Sequence, residues 1–139
     1  MTPRTPLIIG FAGRAGAGKD SAAQALYYAF GCDVAVFAFA EPLRSMIDAL
    51  LDYANIIAVD GMSRAEKVAH IDLLGASPRR LLQTLGTDWG RHMIKPTLWV
   101  DILRQRVADR AANFRMMLVT DVRFDYEAEL IHHLGGEVW

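Results

Sequence analysis

Uncharged apolar runs and apolar stripes of helical period alternate along this chain. Leu7-Ile8-Ile9-Gly10-Phe11-Ala12 carries no polar side chain and predicts a strand, after a lead-in over residues 1–6 that two prolines loosen. From Lys19 to about Phe30 the spacing predicts a helix with Ala22, Ala25, Leu26 and Ala29 inward, stopped by Gly31. Val34-Ala35-Val36-Phe37-Ala38-Phe39-Ala40 is β-branched and aromatic, apolar on both faces, the pattern of a strand in a covered parallel sheet. Glu41-Pro42 then opens a helix with proline in its first turn. Leu43, Met46, Ile47, Leu50 and Leu51 are expected to face its core, and Arg44, Asp48 and Asp52 the solvent.

Residues 55–62 read as a loop around Asp60-Gly61. Ser63-Arg64-Ala65-Glu66 has the spacing of a capping box, in which hydroxyl and carboxylate each accept a backbone N–H across the first turn. The helix it starts is expected to reach about Leu74, with Gly75 ending it. Ser77-Pro78 predicts another start, a capping hydroxyl followed by proline where no N–H is needed. Along that helix Leu81, Leu82, Leu85 and Trp89 take the core side, and Arg80, Gln83, Thr87 and Arg91 form one polar stripe. Gly86 and Gly90 each weaken it by about 1 kcal/mol against alanine, which predicts close backbone approach or an early end. Lys95-Pro96 breaks the run, and a helix over about 97–113 follows with Trp99, Ile102, Leu103 and Val107 on its apolar face. Met116-Met117-Leu118-Val119-Thr120-Asp121 predicts a buried strand ending in an acid. Asp125 is expected to cap a helix over about 126–134, closed by Gly135-Gly136, and Glu137-Val138-Trp139 begins a further strand.

Strands alternating with helices imply an α/β fold, a three-layer α/β/α sandwich around a parallel sheet, with residues 1–139 as one domain. Ligands of such sheets bind outside the carboxyl ends of the strands. A hydrophobic content of 53% beside 22% charged residues is that of an ordinary globular protein. The net charge of -1 gives no sign of a polymeric nucleic-acid partner. No apolar run approaches the ~20 residues of a membrane span, and no signal-peptide pattern opens the chain. The single cysteine, Cys32, excludes a disulfide framework and suits the cytoplasm; it is expected as a small buried hydrophobe.

The chemistry begins between the first strand and the first helix. Gly13-Arg14-Ala15-Gly16-Ala17-Gly18-Lys19-Asp20-Ser21 contains Gly-x4-Gly-Lys in the strand-then-helix setting that a phosphate-binding P-loop requires. Glycines let successive backbone N–H groups face one anion, and the helix aims its positive end at the same place. Lys19 would reach the outer phosphates as a mobile point charge. The loop therefore reads as a nucleoside-triphosphate site. The position after the lysine, usually a Mg2+-binding hydroxyl, is here Asp20, with the hydroxyl one later at Ser21. A glycine turn that merely caps a helix is the weaker alternative.

Asp121, at the end of an apolar strand, has the form of the second P-loop element, whose acid holds Mg2+; a strand-end cap is the alternative. Arg123 is expected at the same sheet edge. The Arg80/Gln83/Thr87/Arg91 stripe carries two arginines and no interleaved acid, which favours a phosphate monoester over a merely solvated face. Arg80 and Arg91, eleven apart, lie roughly 16 Å apart along a straight helix, so one of them, preferably Arg80, is expected on the phosphate. Trp99 has two readings, a base-stacking ring and a core tryptophan. His132 and His133 diverge by about 100° on a helix and cannot chelate one metal together.

Four segments together resemble the phage-type deoxynucleoside monophosphate kinases: Gly18-Lys19-Asp20-Ser21, Phe39-Ala40-Glu41-Pro42-Leu43-Arg44, Ser77-Pro78-Arg79-Arg80-Leu81-Leu82-Gln83-Thr84-Leu85-Gly86-Thr87 through Arg91, and Thr120-Asp121-Val122-Arg123-Phe124. The third is the most specific, and an Asp after the loop lysine is what the family looks like too. The resemblance implies a P-loop nucleoside monophosphate kinase fold, ATP and Mg2+ on the donor side, and phosphoryl transfer to a deoxynucleoside monophosphate. On it, residues 13–21 hold ATP; Lys19, Asp20 and Arg123 are catalytic; Ser21 and Asp121 hold the metal. Arg44, Arg80, Gln83, Arg91 and Trp99 line the acceptor side, beside a helical insert at 55–76. A homodimer stays open, and the location is cytoplasmic, in a host cell if the chain is phage-encoded. Such kinases continue past the strand that starts at Gly136, so the resemblance also implies a chain shortened at its C-terminus, with weakened activity. Two other readings remain: a nucleotide-binding module without turnover, and a P-loop kinase for another small phosphate acceptor.

Overall fold

Four parallel strands in the order β2-β3-β1-β4 form the sheet: β1 (Leu7–Ala12), β2 (Val34–Phe37), β3 (Met116–Val122) and β4 (Glu137–Val138). They belong to a computed structural model that describes residues 5–14 and 17–139. The chain divides into two compact units, Met1–Phe39 with Val100–Trp139, and Ala40–Trp99.

In the first unit the pleat sorts neighbouring residues to opposite faces. Ile8, Ala35, Phe37, Met117 and Val119 share one core with Val100, Leu103 and Val107 of α5 (Leu98–Arg110) and Leu130 and Ile131 of α6 (Asp125–His133). Ile9, Phe11, Val34 and Leu118 share another with Ala23 and Leu26 of α1 (Lys19–Phe30). Helices thus cover both faces, and the fold is the three-layer α/β/α sandwich of a P-loop kinase. β1 pairs with β3 through Leu7↔Met116 to Gly10↔Val119, then slips by one residue so that Ala12 faces Val122.

Several sequence readings change here. β2 ends at Phe37 rather than Ala40 and is an edge strand, with Val36 46% exposed; its outer edge has no strand beside it among the described residues. The buried position of α1 is Ala23, with Leu26 half-buried, whereas Ala22, Ala25 and Ala29 are exposed. In an alanine-rich helix the small side chains mark no stripe strongly enough to fix the rotation. Cys32 is exposed. Asp125 is the first residue of α6 and does not cap it. Glu127, two residues on, accepts the backbone N–H groups of Arg123 at 2.7 Å and Phe124 at 3.2 Å.

The second unit is helical. α2 (Glu41–Tyr53), α3 (Arg64–Val68) and α4 (Pro78–Gln83) lead into a π-helix, Thr84–Ile94. Its core joins Ile47, Leu51, Val59 and Met62 to the half-buried Leu81, Leu82 and Leu85. Met46 and Leu50, expected inward on α2, are exposed. Asp48 accepts the Val59 N–H at 2.8 Å and fixes the loop after α2. Both predicted helix starts form: Ser63 and Glu66 close their capping box at 3.2 and 3.3 Å, and the Ser77 hydroxyl accepts the Arg80 N–H at 3.1 Å. α3 stops at Val68, short of Leu74, because the chain then turns back on itself through an Ile71↔Ala76 bridge, with Gly75 at φ +71°. Among the described residues, no helix is long and apolar enough to cross a membrane.

Candidate functional site

The loop after β1 is bent by its glycines. Gly13 has φ +150° and Gly18 φ +88°, a region that side chains with a Cβ avoid. Between them the Ala17 N–H donates to the Arg14 carbonyl at 3.0 Å; Ala15 and Gly16 lie outside the described residues. Gly18 precedes the first residue of α1 and no side chain caps that helix, so its first-turn N–H groups point to the space ahead of it. That end of a helix favours negative charge. Lys19 folds back along the loop: a Cβ built on Gly13 would lie 3.8 Å from both Lys19 Cγ and Cδ. Asp20 and Ser21 are exposed in the first turn.

β3 is parallel to β1 and adjacent to it, so Asp121 and Gly13 leave the sheet at the same carboxyl end. Asp121 is only 7% exposed, and its Oδ1 accepts the Phe39 N–H at 2.7 Å. The acid is thereby oriented by the backbone just after β2. Arg123 is exposed immediately beyond β3, its own N–H held by Glu127. The sequence reading passed over Glu127, although a carboxylate at the third position of a helix is a recognised way to hold N–H groups at its start. Thr120, Val36, Asp20, Gln24, Tyr27 and Tyr28 border an open groove of about 520 Å³ between α1 and the β2 edge. Among the described residues no three His, Cys, Asp or Glu side chains converge as metal ligands. One strand-end carboxylate and one hydroxyl suit Mg2+, which keeps most of its coordination for water and phosphate.

The residues expected to take the acceptor lie in the second unit. Arg80 and Gln83 are exposed on α4, while Thr87 and Arg91 are half-buried on the π-helix. The even stripe assumed an α-helix throughout. Beyond Thr84 the hydrogen bonds reach back five residues, as Lys95 N–H to the Gly90 carbonyl at 2.9 Å does, so the stripe does not continue in line. Trp99 is 5% exposed, and its Nε1 donates to the Gly86 carbonyl at 2.9 Å. Its ring lies so close to Gly90 that a Cβ there would meet it at 2.5 Å. The close backbone approach expected at these glycines is thus present. Trp89, expected inward, is 37% exposed, with its ring 6.4 Å from that of Trp99. Arg44 is half-buried in the first turn of α2, next to Leu43, whose Cδ1 abuts Gly86.

Two viral proteins carry related sequences. A deoxynucleoside-5'-monophosphate kinase of Escherichia phage T5 is 40% identical over 55 residues, 40% of this chain. A protein of Acanthamoeba polyphaga mimivirus, provisionally named a deoxynucleotide monophosphate kinase, is 29% identical over 139 residues, 94% of this chain. The matches cover 21% of the phage protein's length and 70% of the mimivirus one. The family model described as deoxynucleotide monophosphate kinase matches residues 52–139, which take in Arg80, Arg91, the Asp121 strand and Arg123. With well over half its length inside that match, the chain belongs to the deoxynucleotide monophosphate kinase family.

Proposed function

We propose that this chain binds ATP at Gly13–Ser21 and transfers its terminal phosphoryl group to a deoxynucleoside monophosphate, giving the two diphosphates, in the cytoplasm. The observation that carries the reading is the β1 carboxyl end, where Lys19 folds along a positive-φ glycine loop at an uncapped helix start, one strand from Asp121. Phosphoryl transfer asks for positioning and charge neutralisation, not for a covalent catalyst, and this arrangement supplies both. In the proposal the loop amides and Lys19 hold the donor phosphates. Ser21 and Asp121 would hold Mg2+, which supplies neutralisation of phosphate charge. Asp20 faces the acceptor or metal-bound water, since a carboxylate turned to bare phosphates would repel them. Arg123 steadies charge at the reacting group.

Arg44, Arg80, Gln83 and Arg91 take the monophosphate, with Trp99 supporting that side. The test is direct: incubate the chain with ATP, Mg2+ and each deoxynucleoside monophosphate in turn, and measure diphosphate. Product with at least one monophosphate is expected. ATP binding without product would replace the reading with a nucleotide-binding module. In an active chain, Arg80→Ala should raise the monophosphate KM by roughly ten- to hundredfold and leave ATP affinity nearly unchanged, the loss expected for a hydrogen bond to a charged group.

A further inference from the structure

The π-helix calls for a cause. Such winding is rare, occurs mostly as single turns and concentrates at functional sites, yet here it spans Thr84–Ile94. Gly86 and Gly90 are the weakest helix formers in residues 84–94, without being π formers. Both glycines meet Trp99. Its Nε1 takes the Gly86 carbonyl at 2.9 Å while its ring fills the space that a Gly90 side chain would need. Gly86 is pinned from the other side by Leu43, whose Cδ1 would lie 3.0 Å from a Cβ there. The two glycines are therefore seats, and the indole is the wedge set across both.

Winding decides where side chains point. An α-helix turns about 100° per residue, and at that pitch Arg80 and Arg91 share a face. When each hydrogen bond closes over five residues instead of four, each residue turns by less, and the shortfall accumulates from Thr84 to Arg91. Arg91 consequently leaves the line set by Arg80 and Gln83, in keeping with its being half-buried while they are exposed.

We propose that Trp99 is a positioning residue for the monophosphate side: by clamping Gly86 and Gly90 it keeps residues 84–94 in π winding and so fixes the bearing of Arg91 relative to Arg80. This rests on the acceptor role proposed above for the arginines. It gives Trp99 a task that needs no contact with the base.

The winding is read first in the unaltered chain, by NMR couplings across hydrogen bonds. The Lys95 amide is expected to couple to the Gly90 carbonyl; coupling to the Arg91 carbonyl instead would overturn the proposal. Next, Trp99→Phe keeps a ring and removes the Nε1 donor. It is expected to weaken binding of a deoxynucleoside monophosphate by about three- to tenfold and, because the Gly86 carbonyl loses a buried partner, to lower the thermal midpoint by a few degrees. In an Arg91→Ala background the same change should add almost nothing, because the residue it positions is gone. Equal losses in both backgrounds, or unchanged binding in Trp99→Phe, would reduce Trp99 to a packing residue. Should Trp99→Phe not fold, Gly90→Ala, which pushes the indole off its seat, takes its place with the same two expectations. If the unaltered chain binds no monophosphate, the acceptor reading fails, while the couplings still decide whether the π winding exists.

Discussion

At the head of α1, Gly18 sits at φ +88° with nothing within 4 Å of where a Cβ would stand; in the π-helix, Gly90 has no positive φ but a Cβ would lie 2.5 Å from the Trp99 ring. One position needs glycine for its backbone and has room to spare. The other has an ordinary backbone and no room. In the proposed reading the loop glycines shape a surface for something that arrives from outside, as an anion-binding turn must. The helix glycines shape a surface for a side chain of the protein itself. The first kind reads out of a motif because the spacing that a phosphate would need is contained in nine consecutive residues. The second depends on a partner nine residues away at Trp99, and no short motif contains it.

The largest expected effect tests the loop. Lys19→Ala should lower turnover by on the order of a hundredfold or more, the cost of removing a charge-stabilising donor from a reacting centre. Folding should survive, which circular dichroism and a thermal melt will show; full turnover would leave the loop without its chemical part. Gly90→Val examines the other kind of glycine. Overpacking against the indole should cost about 3 kcal/mol in urea unfolding, and Gly90→Asn should be no milder than alanine.

Asp121→Ala comes next, at about 2 kcal/mol, since it leaves the buried Phe39 N–H without its acceptor. Asp121→Asn keeps an acceptor oxygen and should spare stability while cutting turnover; a variant equally unstable and equally slow would make Asp121 purely structural. Gly18→Ala should cost about 1–2 kcal/mol through left-handed strain, and Gly18→Asn should recover part of it, asparagine tolerating that conformation. Recovery at Gly18 but not at Gly90 is the signature that separates backbone from space. Smallest is Ser63→Ala, about 1 kcal/mol for a lost helix cap, measured by the same unfolding curves.

What could be read in advance followed the locality of each signal. β1 and α1 lie where the apolar run and Gly18-Lys19 put them, and both serine caps form, because each depends on residues within a turn of one another. β2 has the composition of a covered strand but lies at the sheet edge, since strand order is decided by which strands arrive beside it. α3 reads as longer because Ile71 and Leu74 continue a helical spacing; the antiparallel bridge at Ile71 competes for the same backbone. That the Gly13 loop and Asp121 leave the sheet at the same edge is legible from their strand ends. The hold of Phe39 on Asp121 is not, because it spans 82 residues. Nor is the hold of Glu127 on Arg123, because that carboxylate has the sequence setting of any first-turn acid.

The register Leu7↔Met116 also has a meaning in time. The two partners are 109 residues apart (116 - 7), and at about 5–20 residues per second of synthesis Met116 follows Leu7 by roughly 5–20 s. During that interval β1 and β2 both exist without being neighbours, for β3 is the strand that lies between them. The chain from Ala40 to Trp99, by contrast, has every partner of its Ile47-Leu51-Val59-Met62 core at hand before β3 is made. The newborn protein thus carries two apolar strands that still lack β3, α5 and α6, ahead of a segment whose own core is complete. Its exposure to misassociation is set by the speed of translation through residues 40–115.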